Sequence, residues 1–417
     1  MNCTPNPTRA NTRKRTPAAF ACTLSLTAIV LLSGGGEGAA QATTLPAITT
    51  GPAGSNFWEV STRPHAGAQP GDILYAQERA DAPVGAKGWN VLYVSEIKAG
   101  TLAYVSGEIY IPDAPSSAPR DVVLWNHETT GVADACAPSR TSLARVDGRH
   151  RVPAISDLLA RGYVVVMSDY PGQGLPGPAF YMAGQPNARA SLDMLRVAQK
   201  FPTANASKRY VMYGWSQGGQ TTMWAESIAA SYAPGFTGLG AGLIAPAVRI
   251  KDLVLTTLRT NNLAQAGYLI STLPGVKAYF PDLQYRDVLT TAGLEQFPAM
   301  ADGCHDVWRT AADVPQPYAP NAVAEGSPWW NALSAIDDFA PKGTMPFVIY
   351  QGAIDTTTPV HLTLREHAAV CKSGAAAQYI EFPGLEHGPI VPEAAKQFPA
   401  WAQARFEGKA AASNCTR

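Results

Sequence analysis

Residues 210–227 read YVMYGWSQGGQTTMWAES, an apolar run that ends in Gly-Trp-Ser-Gln-Gly and passes directly into a helical pattern. Gly-x-Ser-x-Gly alone is a weak signal, but here it occupies the seam between a strand and a helix, the place a nucleophile elbow requires. In so tight a turn, side chains two residues before and two after the serine would strike neighbouring backbone, which accounts for Gly214 and Gly218. Ser216 is thereby thrust above the sheet at a helix N-terminus, where free N–H groups and the dipole favour the negative charge of an acyl-transfer transition state. A serine that merely caps a helix needs no glycine on either side.

A hydroxyl is a poor nucleophile without a base, so the elbow demands an acid and a histidine later in the chain, in that order. "FVIYQGAIDTTTPV" places Asp355 just past a strand end, and "YIEFPGLEHGPI" places His387 in the loop after the next strand. Both fall at carboxyl ends of strands, where open α/β sheets assemble their sites. His387 is the expected base, with Asp355 orienting its ring. His361 and His367 follow Asp355 too closely and start a helical pattern. An oxyanion hole needs one N–H from the residue after the nucleophile, Gln217, and one from the loop after "RDVVLWNH", for which Thr129 or Thr130 is the expected donor.

Outward from this centre, strands and helices alternate. "WNVLYVSEI" and "TLAYVSGEIYIP" read as an opening antiparallel pair, and "RDVVLWNH", "YVVVMSDY", "RYVMYGW", "FTGLGAGLIAP", "MPFVIYQG" and "AAQYIEFPG" as further strands with helices between them. That alternation implies an α/β protein with a mostly parallel sheet and helices on both faces. The pattern breaks over 248–342, which predicts an inserted helical cap. The core then spans 43–247 and 343–417. "DLVLTTLRTNNLAQAGYLISTLPGVKAYF" within the cap carries Leu253, Leu255, Leu258, Leu263, Tyr268, Leu269, Ile270 and Leu273, apolar surface divided between packing and an acyl pocket. "GLGAG" (238–242) resembles a dinucleotide loop, but it lies in a strand, so close packing explains it better. "DYPGQG" (169–174) reads as a loop beside the site; Asp169 precedes the nucleophile and is a poor candidate for the catalytic acid.

At the N-terminus, Arg9, Arg13, Lys14 and Arg15 precede an apolar run from Ala18 to Leu32 and then small residues ending at Ala42. This predicts a signal peptide over 1–42, cleaved near Ala42, and a secreted or periplasmic protein with no membrane span after cleavage. Lysines plus arginines equal aspartates plus glutamates at 32 each, so no basic excess exists to attract nucleic acid. Hydrophobic residues at 46% suffice for a large core. Beyond Ala42 four cysteines remain, Cys136, Cys304, Cys371 and Cys415; an even number in an exported chain favours disulfides, with three connectivities open. Neither Cys-x-x-Cys nor a spaced Cys/His set suggests a metal, and no cofactor is expected.

"TTGVADACAPS", "YGWSQGG", "QGAIDTTTPV" and "GLEHG", in this order, resemble the oxyanion, nucleophile, acid and base blocks of the secretory lipase family of the α/β-hydrolase superfamily. The resemblance covers nearly all of the chain after Ala42. It implies the α/β-hydrolase fold with a helical lid, hydrolysis of carboxylic esters from triacylglycerols to short acyl esters, and disulfides Cys136–Cys304 and Cys371–Cys415. A monomer that meets a small-molecule ester or lipid, with contact to a lipid interface, is also expected. Glu128 departs from the glycine that many α/β-hydrolases keep there. The expectation is a serine carboxylester hydrolase acting on lipid or other hydrophobic esters; the alternatives are a short-acyl or cell-wall carbohydrate esterase, an exported peptidase of the same fold, or a binding protein built on a decayed hydrolase.

Overall fold

The computed structural model describes residues 47–60, 63–145, 149–260, 266–301, 303–304, 316–319, 321–336 and 339–415. The expected signal peptide, its cleavage point at Ala42, and Leu263 lie outside them. Nine strands form one sheet: β1 Ile73–Arg79, β2 Ala86–Lys98, β3 Thr101–Pro112, β4 Arg120–Asn126, β5 Val164–Ser168, β6 Ala206–Trp215, β7 Thr237–Ile244, β8 Phe347–Gly352 and β9 Ala377–Phe382. Their order is β1-β2-β3-β5-β4-β6-β7-β8-β9. Pairings from β1 through β3 to β5 are antiparallel, and the rest are parallel.

The antiparallel start differs from the sequence reading, because β1 precedes the pair taken as the opening one. Its residues, ILYAQER, lie at the sheet edge, and only Ala76 among them is buried, so the apolar signal is faint. Deeper in the sheet every strand is covered twice, and alternate residues enter two cores. Val122, Leu124, Val164, Val166, Tyr210, Met212, Phe347 and Ile349 face one core. Val123, Trp125, Val165, Met167, Val211, Tyr213, Val348 and Tyr350 face the other. Helices Gln185–Lys200, Gln217–Tyr232 and Val360–Lys372 contribute to the first; Ile155–Ala160 and Ile390–Phe406 close the second.

The chain passes from β3 to β4 before returning to fill the gap with β5. This crossover makes β4 the neighbour of β6, with Asn126 opposite Gly214. On the other flank Ile244 pairs with Trp215, Tyr350 with Ile244, and Phe382 with Gly352. The loops after β4, β6, β8 and β9 therefore emerge along a single edge.

Between β7 and β8 stand helices Ile250–Thr260, Ala266–Tyr279, Thr291–Ala301 and Pro328–Ile336. Leu269, Ile270 and Leu273 are buried in a third cluster with Val254, Trp329 and Leu333. The cavity that Leu258, Leu269 and Leu273 line with Trp329 measures about 20 Å³, room for roughly one water. These cap leucines thus serve as packing, and of the two uses expected for them the acyl pocket is not found at that cavity.

In β7 the glycines make room for neighbours. A Cβ on Gly240 would lie 2.5 Å from the Trp401 ring, and one on Gly242 2.7 Å from the Phe398 ring. Gly240→Ala is accordingly expected to cost about 1–3 kcal/mol by overpacking. Denaturant titration should show a lower midpoint with the slope unchanged.

Candidate active site

Ser216 stands between β6 and the helix Gln217–Tyr232 with φ 55° and ψ −116°, backbone angles that an L-residue adopts only under constraint. The constraint is a set of main-chain bonds. Ser216 N–H donates to Ile244 O at 3.0 Å, while its carbonyl accepts from Gly219 N at 2.9 Å and Ala247 N at 2.8 Å. Its hydroxyl makes no helix-capping bond. A Cβ on Gly214 would come within 2.2 Å of Gly218 O, and one on Gly218 within 1.9 Å of Asn126 O. Beneath the turn, Asn126 Nδ2 donates to Thr222 Oγ1 at 2.8 Å, and Thr222 Oγ1 to Gly218 O at 2.8 Å.

Asp355, in the turn after β8, is buried, and His387, after β9, is partly exposed. The His387 Nδ1 to Asp355 Oδ2 distance is 2.8 Å. Asp355 Oδ1 accepts from Thr357 N and Thr358 N at 2.8 Å each, and Oδ2 from Thr358 Oγ1 at 2.9 Å and Gln351 Nε2 at 3.2 Å. Burial pushes this carboxyl up, but the bond and charge of His387, with the Thr358 bonds, outweigh it and hold the group below the usual carboxylate range. Trp215 flanks the imidazole with ring centroids 5.5 Å apart.

Asp169, by contrast, is fully buried; it accepts from Ser106 Oγ at 2.5 Å and from Ser139 N at 2.9 Å. Burial and Glu108 raise its carboxyl above the ordinary value. Its bonds lie with those serines, whereas the acid bonded to His387 is Asp355. His361 and His367 both fall in the helix Val360–Lys372.

The loop after β4 is pinned on three sides. Thr129 Oγ1 meets Tyr181 OH at 2.9 Å, Gln173 Nε2 donates to Thr130 Oγ1 at 2.6 Å and Gly131 O at 3.0 Å, and Glu128 pairs with Arg145. Glu128 is thus held by an ion pair beside the two threonines. A Cβ on Gly131 would strike Cys136 Sγ at 2.5 Å, beside the Cys136–Cys304 disulfide, and Val132 N–H donates to Gly303 O at 3.1 Å. The second disulfide joins Cys371 to Cys415. Among the described residues one Cys/His group has metal-ligand proximity, His367 with Cys371 and Cys415, and both of its thiols are spent in that disulfide.

Thr358, Trp215, Tyr181 and Gln173 were not picked out from sequence as site residues. The Thr-Thr-Thr run after Asp355 was the one local sign of Thr358, since threonines there can cap the aspartate. Tyr181 and Gln173 reach the site only through tertiary packing.

The family described as Secretory lipase matches residues 140–306. Over that stretch the chain is similar to secretory lipases. It is 30% identical to Lipase A of Moesziomyces aphidis over 183 residues, which is 42% of this chain and 38% of that protein, so the match spans well under half of that relative. It is 25% identical to Lipase 5 of Candida albicans over 83% of this chain and 79% of the relative. Among solved structures, Candida antarctica lipase A in its closed state superposes with a TM-score of 0.69 at 20% identity, covering 84% of this chain and 85% of that one. The sheet is that of the α/β-hydrolase fold.

Because the Asp355 carboxyl titrates lower in the fold than in the unfolded chain, its stabilisation is complete above the unfolded value and is lost as pH falls through the lower, folded one. The stability difference between the parent and Asp355→Asn should therefore be fully present near pH 5 and shrink below about pH 4. Chemical denaturation at several pH values measures it.

Proposed function

We propose that the chain is an exported serine carboxylester hydrolase that works through an acyl-enzyme on Ser216. The observation that carries this reading is the Asp355–His387 contact at 2.8 Å, on the same sheet edge as a serine held in a strained elbow. Ser216 Oγ attacks the ester carbonyl carbon and its proton passes to His387 Nε2; Asp355 fixes the tautomer by accepting the Nδ1–H and stabilises the imidazolium. The C–O bond to the alcohol then breaks, and His387 returns the proton to the leaving oxygen. Water, deprotonated by the same histidine, releases the acid and restores Ser216.

The N–H groups of Gln217 and of Thr129 or Thr130 hold the oxyanion. Tyr181, Gln173 and the Glu128–Arg145 pair keep that loop still, so that little reorganisation is left to the reacting state. The helical insertion over 248–342 acts as a lid over the site. The Cys136–Cys304 disulfide couples it to the oxyanion loop.

The chain acts as a monomer after cleavage near Ala42, outside the cytoplasm, and meets lipid at an interface through the lid. No described helix is long and apolar enough to cross a membrane. The names of its relatives, lipases throughout those given above, favour hydrophobic esters over short-acyl or carbohydrate esters.

Ser216→Ala should leave a folded protein with ester turnover down about 10³-fold or more, His387→Ala similarly, and Asp355→Asn somewhat less. Turnover of p-nitrophenyl esters, with circular dichroism to verify folding, measures this; near-parental activity in Ser216→Ala would sink the assignment. A panel from acetyl to long acyl esters separates the lipid reading from the short-acyl one by whether kcat/KM climbs with chain length.

A further inference from the structure

Away from the hydrolytic residues, one side-chain cluster gathers an imidazole and two sulfurs. His367 and Cys371 stand four residues apart on the helix Val360–Lys372 and therefore share a face. His367 Nε2 lies 3.5 Å from Cys371 Sγ, and Cys415 Sγ, bonded to Cys371, completes a set of donor atoms that all lie within 4.8 Å of one another. We propose that these three residues form a zinc site when the Cys371–Cys415 bond is open, so that metal and disulfide are alternative clamps on the C-terminal tail. The site shares no residue with Ser216, Asp355 and His387, so it stands apart from the hydrolase reading.

Two thiolates and an imidazole are a donor set that zinc prefers. With sulfur at about 2.3 Å from the ion, nitrogen at about 2.0–2.1 Å and tetrahedral angles between them, sulfur and nitrogen stand about 3.6 Å apart. The His367–Cys371 pair already holds nearly that spacing. Opening the disulfide frees Cys415 Sγ to turn away from Cys371 Sγ, toward the separation of about 3.8 Å that the same angles set for two sulfurs. All three residues are partly exposed, which leaves the fourth position to water and gives the ion a way in.

The tail is held by more than its disulfide. Asn414 N donates to Ala377 O at 2.9 Å, Tyr379 N donates to Asn414 Oδ1 at 2.8 Å, and Asn414 Nδ2 donates to Tyr379 O at 2.8 Å. These bonds seat residue 414 on β9 and so keep Cys415 beside the helix after the disulfide opens. Cysteines enter a chain as thiols, and the disulfide forms only in an oxidising compartment, so the open form comes first. In that form zinc takes the place of two thiol protons, which pass to solvent. A small-molecule disulfide then accepts two electrons from the thiolates: its own S–S bond breaks to two thiolates, the Cys371–Cys415 bond forms, and the ion is released.

The test opens the bond in the full chain. A limiting amount of a water-soluble phosphine should reduce the partly exposed Cys371–Cys415 pair ahead of the pair that contains buried Cys136; with water, the phosphine becomes its oxide and two thiols appear. Mass mapping after alkylation identifies the thiols, and circular dichroism checks the fold. Once the phosphine is removed, the opened protein should take up zinc in competition with a chromophoric chelator, and zinc should shield Cys371 and Cys415 from alkylation. His367→Gln should weaken that binding by about tenfold or more, a loss that even an outer partner of a ligand can cause. This variant also separates the site from any other thiols that open, and His367→Ala takes its place should it fold poorly. An opened, folded chain that binds no zinc, equal zinc uptake by the unreduced parent, or unchanged affinity in a folded His367 variant overturns the site. So does an opened chain that unfolds and does not refold when zinc is added.

Discussion

Everything at this site depends on the absence of a side chain at Gly218. The carbonyl of Asn126, the last residue of β4, lies where a Cβ would have to stand, 1.9 Å away. That contact lets the oxyanion loop spring from directly beside the nucleophile. It exists only because β4 and β6 are adjacent, which in turn requires the crossover that leaves β5 on the far side of β4. A larger residue at 218 would separate the two strand ends and withdraw the loop from Ser216. The strain at Ser216, of order 1–3 kcal/mol for such backbone angles, is sustained by the bonds to Ile244, Gly219 and Ala247 rather than relieved. A relaxed turn would return the hydroxyl toward the sheet.

The acid is held by different means. Asp355 is buried, a situation that by itself would favour its neutral form. Two backbone N–H groups, a threonine hydroxyl and His387 reverse that preference, so the carboxylate keeps its charge out of water. The same bonds fix which oxygen faces the imidazole: Oδ1 is occupied by the turn and Oδ2 by His387. Asp169 shows the converse. Equally buried and also hydrogen-bonded, it lies near Glu108, and its carboxyl is raised. The two aspartates thus differ because the bonds and charge around Asp355 outweigh its burial, whereas at Asp169 burial, with Glu108 second, prevails.

Much of this was legible beforehand, because strand-ending motifs report their own position. The doubly covered strands read as apolar runs, one ending directly before Ser216 and two others leading into the loops that hold Asp355 and His387. The residues that steady the site were not legible. Tyr181 and Gln173 lie in loops whose composition carries no period, and Trp215 looks in sequence like one more strand residue. The strand β1 was missed for a related reason: an edge strand buries little, so selection for an apolar pattern is weak there. In the cap, sequence supplied the amount of apolar surface but not its partner. Leu269, Ile270 and Leu273 could pack on each other or against a ligand, and only the position of Trp329 and Leu333 decides for packing.

The Cys136–Cys304 bond ties the oxyanion loop to the insertion, and Glu128 ties the same loop, through Arg145, to Trp215 and so to the side of the general base. Glu128 adds an ion pair to Arg145 to the bonds that Thr129 and Thr130 make to Tyr181 and Gln173. Under the proposed mechanism, such ties hold the N–H donors in place before substrate arrives, which is where electrostatic stabilisation of an oxyanion gains most.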